Sequence, residues 1–230
     1  MLGGIISSNF YLDRGMSRSK WKQISHSLPA GVNLLAVSKG HSVDSIKGLV
    51  SCGQLHFGES RVQEAMPKLE ALNYDQSLRW HFIGHLQSNK VRTIVRSFDF
   101  IHSIHSLSLA ERIARISGEE RKRPKVMLQV KFRDDPNKSG FHPDQLLESW
   151  NTLSSFENYE IVGLMTIAPL RISPTERREL FKDCRFLANR LKLLHCSMGM
   201  SSDWEDAVKA GSTWVRIGSE IFGERAKAGT

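Results

Sequence analysis

The sequence predicts an α/β chain folded as a single (β/α)8 barrel of the TIM type. Eight short runs rich in apolar, β-branched and aromatic residues recur along it, and segments of helical periodicity separate them. A parallel strand can follow another only after a crossover, and an alternating order supplies a helix for each crossover. The length of 230 residues also fits, since compact barrels of this kind run to about 200–250 residues. A doubly wound sheet is the structural alternative. It usually has fewer strands and opens with a glycine-rich first turn, whereas the first turn here reads KGHSVDS.

Taken in order, residues 1–15 read as a loose extension, and SKWKQISHSLP as an extra helix ahead of the barrel, stopped by Pro29. The first strand is expected at 32–38 (VNLLAVS), after which Ser42 caps VDSIKGLV and Gly53 closes that helix. The second is expected at 55–60 (LHFGES) with the helix VQEAMPKLEAL, and the third at 79–84 (RWHFIG) with the basic helix NKVRTIVRS. The fourth, 98–104 (FDFIHSI), leads into LSLAERIARISGEE, and the fifth, 125–132 (KVMLQVKF), into a helix opened by Pro143-Asp144. The sixth, 159–167 (YEIVGLMTI), precedes the capping signal Ser173-Pro174-Thr175-Glu176 and a long helix. The seventh, 194–199 (LHCSMG), and the eighth, 213–218 (TWVRIG), flank a short helix that ends at Gly211. No linker or composition break divides the chain, so residues 1–230 are expected to form one domain.

Composition narrows the classes. The 32 basic and 24 acidic side chains give a net charge of +8, spread along the chain as a solvated surface would be. The sharper reading is affinity for an anion, either a phosphorylated small molecule or nucleic acid. The five tryptophans do not interleave with basic clusters, so no nucleic-acid module is expected. No apolar run approaches the roughly 20 residues that span a bilayer, and MLGGIISSNF lacks the basic start and cleavage site of a signal peptide. Cys52, Cys184 and Cys196 are scattered, which fits a reduced cytoplasm. The Asn137-Lys138-Ser139 sequon is then incidental.

Barrels of this kind carry their working groups at the C-terminal strand ends. LLAVSKG, residues 34–40, is an apolar run that stops at Lys39. An ammonium at such a place must pair, snorkel to the rim or react. Desolvation favours the neutral amine, the form that attacks an aldehyde. Glu59, at the end of the second strand, is placed either as its counter-charge or as an exposed start to the next helix.

The seventh and eighth strands end in small residues, Gly199 to Ser202 and Gly218-Ser219. Small residues let backbone N–H groups approach a ligand, and serine hydroxyls add donors. Ser201 or Ser202 leads into the helix at Asp203-Trp204-Glu205, either favouring an anion at its N-terminal end or simply capping it. Two such ends on adjacent strands point to a phosphate cradle. Arg216 is set to clamp that phosphate or to face a heterocyclic nitrogen. A reactive lysine across from a phosphate cradle suggests pyridoxal phosphate, whose aldehyde and phosphate lie on opposite sides of one ring.

AVSK at 36–39, FGESRVQE at 57–64, WHFIGHLQSNK at 80–90, KSGF at 138–141, GLMTIAP at 163–169, SMGMSSDWEDAV at 197–208 and VRIGSEIFGER at 215–225 together resemble the pyridoxal phosphate homeostasis proteins. The match runs in order from about residue 18 to 225. The resemblance implies a barrel like the N-terminal domain of alanine racemase, carrying the cofactor as an internal aldimine. It implies that Lys39 forms the Schiff base, that Ser201, Ser202, Gly218 and Ser219 meet the phosphate, and that Arg216 faces the ring nitrogen or the phosphate. Glu59 and Ser60 would line the site. Departures from the pattern are Ser60 in place of asparagine, Gly40 in place of threonine, and His195-Cys196 ahead of SMGMS in place of leucine.

The ring of this cofactor is an electron sink that works best when a carboxylate keeps its nitrogen protonated. Arginine only donates, so Arg216 facing that nitrogen would leave the sink weak. Racemisation further needs two opposed acid–base groups. The resemblance implies that racemases draw one from a C-terminal domain and its dimer partner, and this chain ends within a dozen residues of the eighth strand. The expectation is therefore a cytoplasmic, monomeric carrier rather than an enzyme. It would maintain pyridoxal phosphate homeostasis, with effects on amino-acid and keto-acid balance, and pass the cofactor to apo-enzymes or answer to a regulatory protein. A small amino-acid racemase is the alternative.

Two other groups of residues are weighed and set aside. His81 and His85 alternate onto one strand face, and His102 and His105 lie close in sequence, but a metal would want a third ligand and supporting partners. They are read as packed or hydrogen-bonded side chains, with no metal expected. Cys196 is read as a small core residue.

Overall fold

A computed structural model describes residues 17–223. The expected extension at 1–15 lies outside them. Helix α1 covers residues 17–27. Eight strands follow: β1 (Asn33–Val37), β2 (His56–Glu59), β3 (Arg79–Phe82), β4 (Phe100–Ile104), β5 (Lys125–Gln129), β6 (Glu160–Met165), β7 (His195–Met200) and β8 (Trp214–Ile217). They close in sequence order into a parallel barrel, β8 pairing back onto β1 with Ala36 opposite Ile217. The other α-helices among the described residues are α2 (Val43–Val50), α3 (Val62–Ala71), α4 (Val91–Ser97), α5 (Leu107–Glu119), α6 (Pro143–Ser155), α7 (Pro174–Arg190), α8 (Trp204–Lys209) and α9 (Ser219–Phe222). Among the described residues no helix is long and apolar enough to cross a membrane.

Side chains alternate across each strand, and this parity sorts the core into two layers. Leu34, Ala36, Trp80, Phe82, Ile101, Val126, Leu128, Leu164, Cys196, Met198, Val215 and Ile217 pack outward beneath the helices. Leu35, Met127, Met165 and Trp214 point the other way and pack together inside the barrel. Residues of that second parity also include His81, His102, Ser197 and Arg216, all buried. The interior is thus half apolar and half a row of hydrogen-bonding side chains.

Helix starts follow the expected signals. The Ser173 hydroxyl accepts from the Glu176 N–H while the Glu176 carboxylate accepts from the Ser173 N–H, closing a capping box on α7. Ser42 caps α2 through the Ser45 N–H. The fifth strand ends at Gln129, short of its expected apolar run: Val130 still donates to the Met165 carbonyl at 2.9 Å, but it pairs across an isolated bridge with Phe141 of the following loop.

Candidate cofactor-binding site

The ends of β7, β8 and β1 lie side by side at one mouth of the barrel. Gly199 adopts φ +92°, and a Cβ there would come within 2.6 Å of the Ala207 Cβ, so the chain turns where only glycine fits. The pairing of β7 with β8 shifts register between Ser197 and Met200, which re-aims the strand end. The Met200 N–H donates to the Asp203 carboxylate at 2.6 Å, and the Asp203 N–H returns to the Met200 carbonyl at 3.0 Å. Ser201 and Ser202 stand at the apex of this closed turn. On the next strand Gly218 lies so close to β1 that a Cβ would sit 3.1 Å from the Val37 carbonyl oxygen. The Ser219 and Ser201 hydroxyls are 3.5 Å apart, joining the two small-residue ends.

One expectation at this mouth needs correcting. Neither serine caps α8; Asp203 precedes it, and its carboxylate is committed to Met200. The helix is six residues long and carries Glu205 and Asp206 in its first turn, so its N-terminal end offers an anion little. A pocket of about 310 Å³ beside the serines is bordered by Asp203, Glu205, Asp206 and Glu220. The hydroxyl-bearing Ser201 and Ser202 line that pocket together with these four carboxylates.

Lys39 follows β1 by two residues, half-buried in a turn. It makes no hydrogen bond or ion pair with a described residue. Glu59 is neither the counter-charge of Lys39 nor an exposed start to the next helix: it is fully buried and taken by another lysine. Lys68 on α3, 6 % exposed, donates to Glu59 Oε1 at 2.7 Å, to Glu64 Oε1 at 2.9 Å and to the Ser38 carbonyl at 2.8 Å. The Ser38 hydroxyl donates to the same Glu59 oxygen at 2.7 Å, and the Gly40 N–H donates to Glu64. The residues on either side of Lys39 are therefore clamped from below while its own ammonium is left uncommitted. Burial raises the Glu59 pKa against the pull of Lys68 and Ser38. Burial also pushes Glu64 upward, but the Gly40 and Lys68 donors outweigh it and its pKa falls.

Arg216 is 4 % exposed and pinned to two neighbouring strand ends. Nη1 donates to the Ser197 carbonyl at 2.6 Å and to its hydroxyl at 2.8 Å; Nη2 donates to the Thr166 carbonyl at 2.9 Å. Burial brings its pKa down to about 10, so it stays cationic near neutrality. These bonds use three of its five N–H groups.

The histidines do not divide as expected. His81 is buried inside the barrel, whereas His85 lies in the loop beyond β3 and stacks on His105 at 5.1 Å between ring centres. The strand stops at Phe82, so the two never share a face. His81 instead bonds His56 and His102, each at 2.9 Å. Among the described residues no three His, Cys, Asp or Glu side chains group as metal ligands. Cys196 packs in the outer core layer.

Two features could accept a polar ligand at the mouth. Glu59 Oε2 and Ser60 Oγ, at the end of β2, are buried without hydrogen-bond partners. An orphaned buried oxygen is costly unless something else satisfies it. These two oxygens, the amine of Lys39 and the hydroxyls of Ser201 and Ser219 are the polar groups at the ends of β1, β2, β7 and β8.

Fold and site define a (β/α)8 barrel with polar groups gathered at one mouth, and residues 12–226 match the family model described as "Alanine racemase, N-terminal domain". A Synechocystis protein named "Pyridoxal phosphate homeostasis protein" is 42% identical over 215 residues, which are 91% of this chain and 99% of that one. The chain belongs to the family of pyridoxal phosphate homeostasis proteins, built on the alanine racemase N-terminal domain. Two solved structures of PipY from Synechococcus elongatus are closely similar. The form without pyridoxal phosphate is 45% identical with a TM-score of 0.88, covering 90% of this chain and 99% of that one. The form with pyridoxal phosphate bound is 43% identical with a TM-score of 0.86, covering 90% and 100%.

Proposed function

We propose that this chain binds pyridoxal phosphate at the β7–β8–β1 mouth and serves cofactor homeostasis as a carrier, with Lys39 as the attachment point. The observation that carries this reading is the amine of Lys39, without a hydrogen-bond or ion-pair partner among the described residues, just past β1, whose neighbour β8 is followed by Gly218 and Ser219. When bound, the cofactor supplies an aldehyde that condenses with an amine and a phosphate that accepts hydrogen bonds. Lys68, Glu59 and Glu64 hold the Ser38–Gly40 backbone so that the amine stays at the mouth without being neutralised by a carboxylate. Ser201 and Ser219, with the nearby loop N–H groups, are assigned to the phosphate, and Ser202 and Gly218 border it.

We assign Arg216 to the ring rather than to the phosphate. Its guanidinium is tied into the barrel wall by Ser197 and Thr166, whereas the serines stand at the loop apex. A permanent donor facing a ring nitrogen opposes its protonation, which suits holding the cofactor more than converting substrates with it. A monomeric, cytoplasmic carrier that passes cofactor to apo-enzymes, or that a regulatory protein engages, is the setting we infer. Equilibrium titration with pyridoxal phosphate tests the reading. Saturable binding to the native chain, weakened at least tenfold in Lys39→Ala, is expected; equal affinity in the two would remove Lys39 from the site.

A further inference from the structure

His56, His81, His102, Ser197 and Arg216 form one continuous hydrogen-bonded chain through the barrel interior. His56 Nδ1 lies 2.9 Å from His81 Nε2, His81 Nδ1 2.9 Å from His102 Nε2, and His102 Nδ1 2.9 Å from Ser197 Oγ. Arg216 Nη1 closes the line at 2.8 Å from the same oxygen. A neutral imidazole donates from one nitrogen and accepts at the other, so a chain of three could run in either sense.

Arg216 selects the sense. A guanidinium only donates, so Ser197 Oγ must accept from it. Ser197 then has one hydroxyl proton to place, and His102 Nδ1 is the acceptor within reach. His102 Nε2–H in turn donates to His81 Nδ1, and His81 Nε2–H donates to His56 Nδ1. The opposite sense would leave the Ser197 proton without an acceptor in a fully buried position, a costly arrangement.

The far end opens elsewhere. His56 is half-buried at the edge of a cleft of about 490 Å³ at the opposite mouth of the barrel, bordered by Arg79, Asp99 and Lys125 among others. Arg79 and Asp99 face His56, and His81 lies on its inner side. His81 is set between His56 and His102, stacked on Phe100 and tilted against Trp214. Arg216 and His195 face His102. A positive charge on the chain is best held at His56, the ring nearest to water and to Asp99.

An imidazolium there must donate from Nδ1 to His81 Nε2. The proton of His81 then sits on Nδ1, that of His102 also on Nδ1, and the chain as a whole has gained one proton from water. His102 now donates to Ser197 Oγ in competition with Arg216, and the Ser197 hydroxyl proton loses its acceptor. We propose that His56, His81, His102 and Ser197 form a polarised relay that communicates protonation in the far cleft to Arg216 at the ligand-binding mouth. The four are positioning residues acting through Arg216. The relay goes beyond the function proposed above and does not involve Lys39, so either can fail without the other.

Nitrogen-15 spectroscopy of the full chain labelled in histidine and arginine tests it. At pH 7.5, His81 and His102 are expected as Nε2–H tautomers. Burial lowers the pKa of all three rings, so acid titration should switch His81 and His102 to Nδ1–H at one midpoint below 6.5, shared with His56 protonation. The Arg216 Nη signals should move at the same midpoint. His56→Gln should abolish the shared switch and leave both buried rings Nε2–H, because the amide oxygen still accepts. Ser197→Ala should remove the selection and give mixed tautomers. An Nδ1–H tautomer at His81 or His102 at pH 7.5, or separate midpoints for the three rings, would overturn the relay. The native spectra decide this even if a variant fails to fold.

Discussion

Replacing Lys68 with methionine would strand Glu59 in the wall of the site. The lysine gives Glu59 an ion pair of 2.7 Å, and neither side chain reaches water freely. Removing one member of a buried pair costs about 3–5 kcal/mol, because the remaining charge has lost both its partner and its water. The Ser38 hydroxyl still serves one Glu59 oxygen, while the bonds from Lys68 to Ser38 and Glu64 are also lost. We therefore place the loss near the middle of that range, at about 4 kcal/mol.

The pH dependence follows from the sign of the Glu59 shift. Burial already raises its pKa above 4.5, and losing Lys68 raises it further. A group of this kind contributes stability that is present below its unfolded value and lost as pH rises through the folded one. A stranded carboxylate escapes its penalty by taking a proton, at about 1.4 kcal/mol for each pH unit between its pKa and the solution. The deficit of Lys68→Met should therefore be largest at pH 7–8 and shrink towards pH 5. Urea unfolding of the native chain, Lys68→Met, Glu59→Gln and the double variant measures it. The double variant should recover at least about 2 kcal/mol over Lys68→Met, since the uncompensated charge is gone. A neutral-pH loss below about 1 kcal/mol for Lys68→Met, or a loss independent of pH, would refute the buried clamp.

Two further outcomes can be checked directly. His81 and His102 have pKa values held well below 6.5 by burial, so their contribution is present above 6.5 and lost as pH falls. With the unfolded chain binding two more protons, stability should drop by about 2.7 kcal/mol per pH unit well under pH 6.5; calorimetry between pH 7 and 5 reads this, and a flat Tm would contradict it. Ser201→Ala and Ser219→Ala should each weaken pyridoxal phosphate about 10- to 100-fold, the worth of one hydrogen bond to a charged group, and leave pyridoxal unchanged. Equal losses for the two ligands in a titration would take the serines away from the phosphate.

The barrel was legible because each crossover leaves a mark in the sequence. Each of the eight strands falls inside its expected apolar run or within one residue of it, as β7 does at Met200. The inward or outward phase of a strand was harder to read. In LLAV both faces are apolar, one against helices and one against the barrel interior, so alternation in hydrophobicity vanishes. Alternation in the sequence therefore groups His81 with His85, and only strand register reveals the bonds of His81 to His56 and His102 on two other strands.

The buried role of Lys68 is hidden in the sequence for a related reason. A lysine on an amphipathic helix ordinarily reaches water, and only the packing of α3 over the ends of β1 and β2 buries this one. The Glu64–Lys68 spacing of four residues was the available signal. At the mouth, the small residues of β7 and β8 were readable as strand ends that tolerate close approach. The commitment of Asp203 to Met200, which displaces the serines from a capping role, depends on a turn that no spacing rule specifies.

Borohydride reduction of the chain saturated with pyridoxal phosphate, followed by peptide mapping, tests the central claim most directly. One reduced pyridoxyl group per chain, on the peptide containing Lys39 and absent from Lys39→Ala, is the result expected. A reduced group carried mainly by another lysine, or none at all at saturation, would contradict the account.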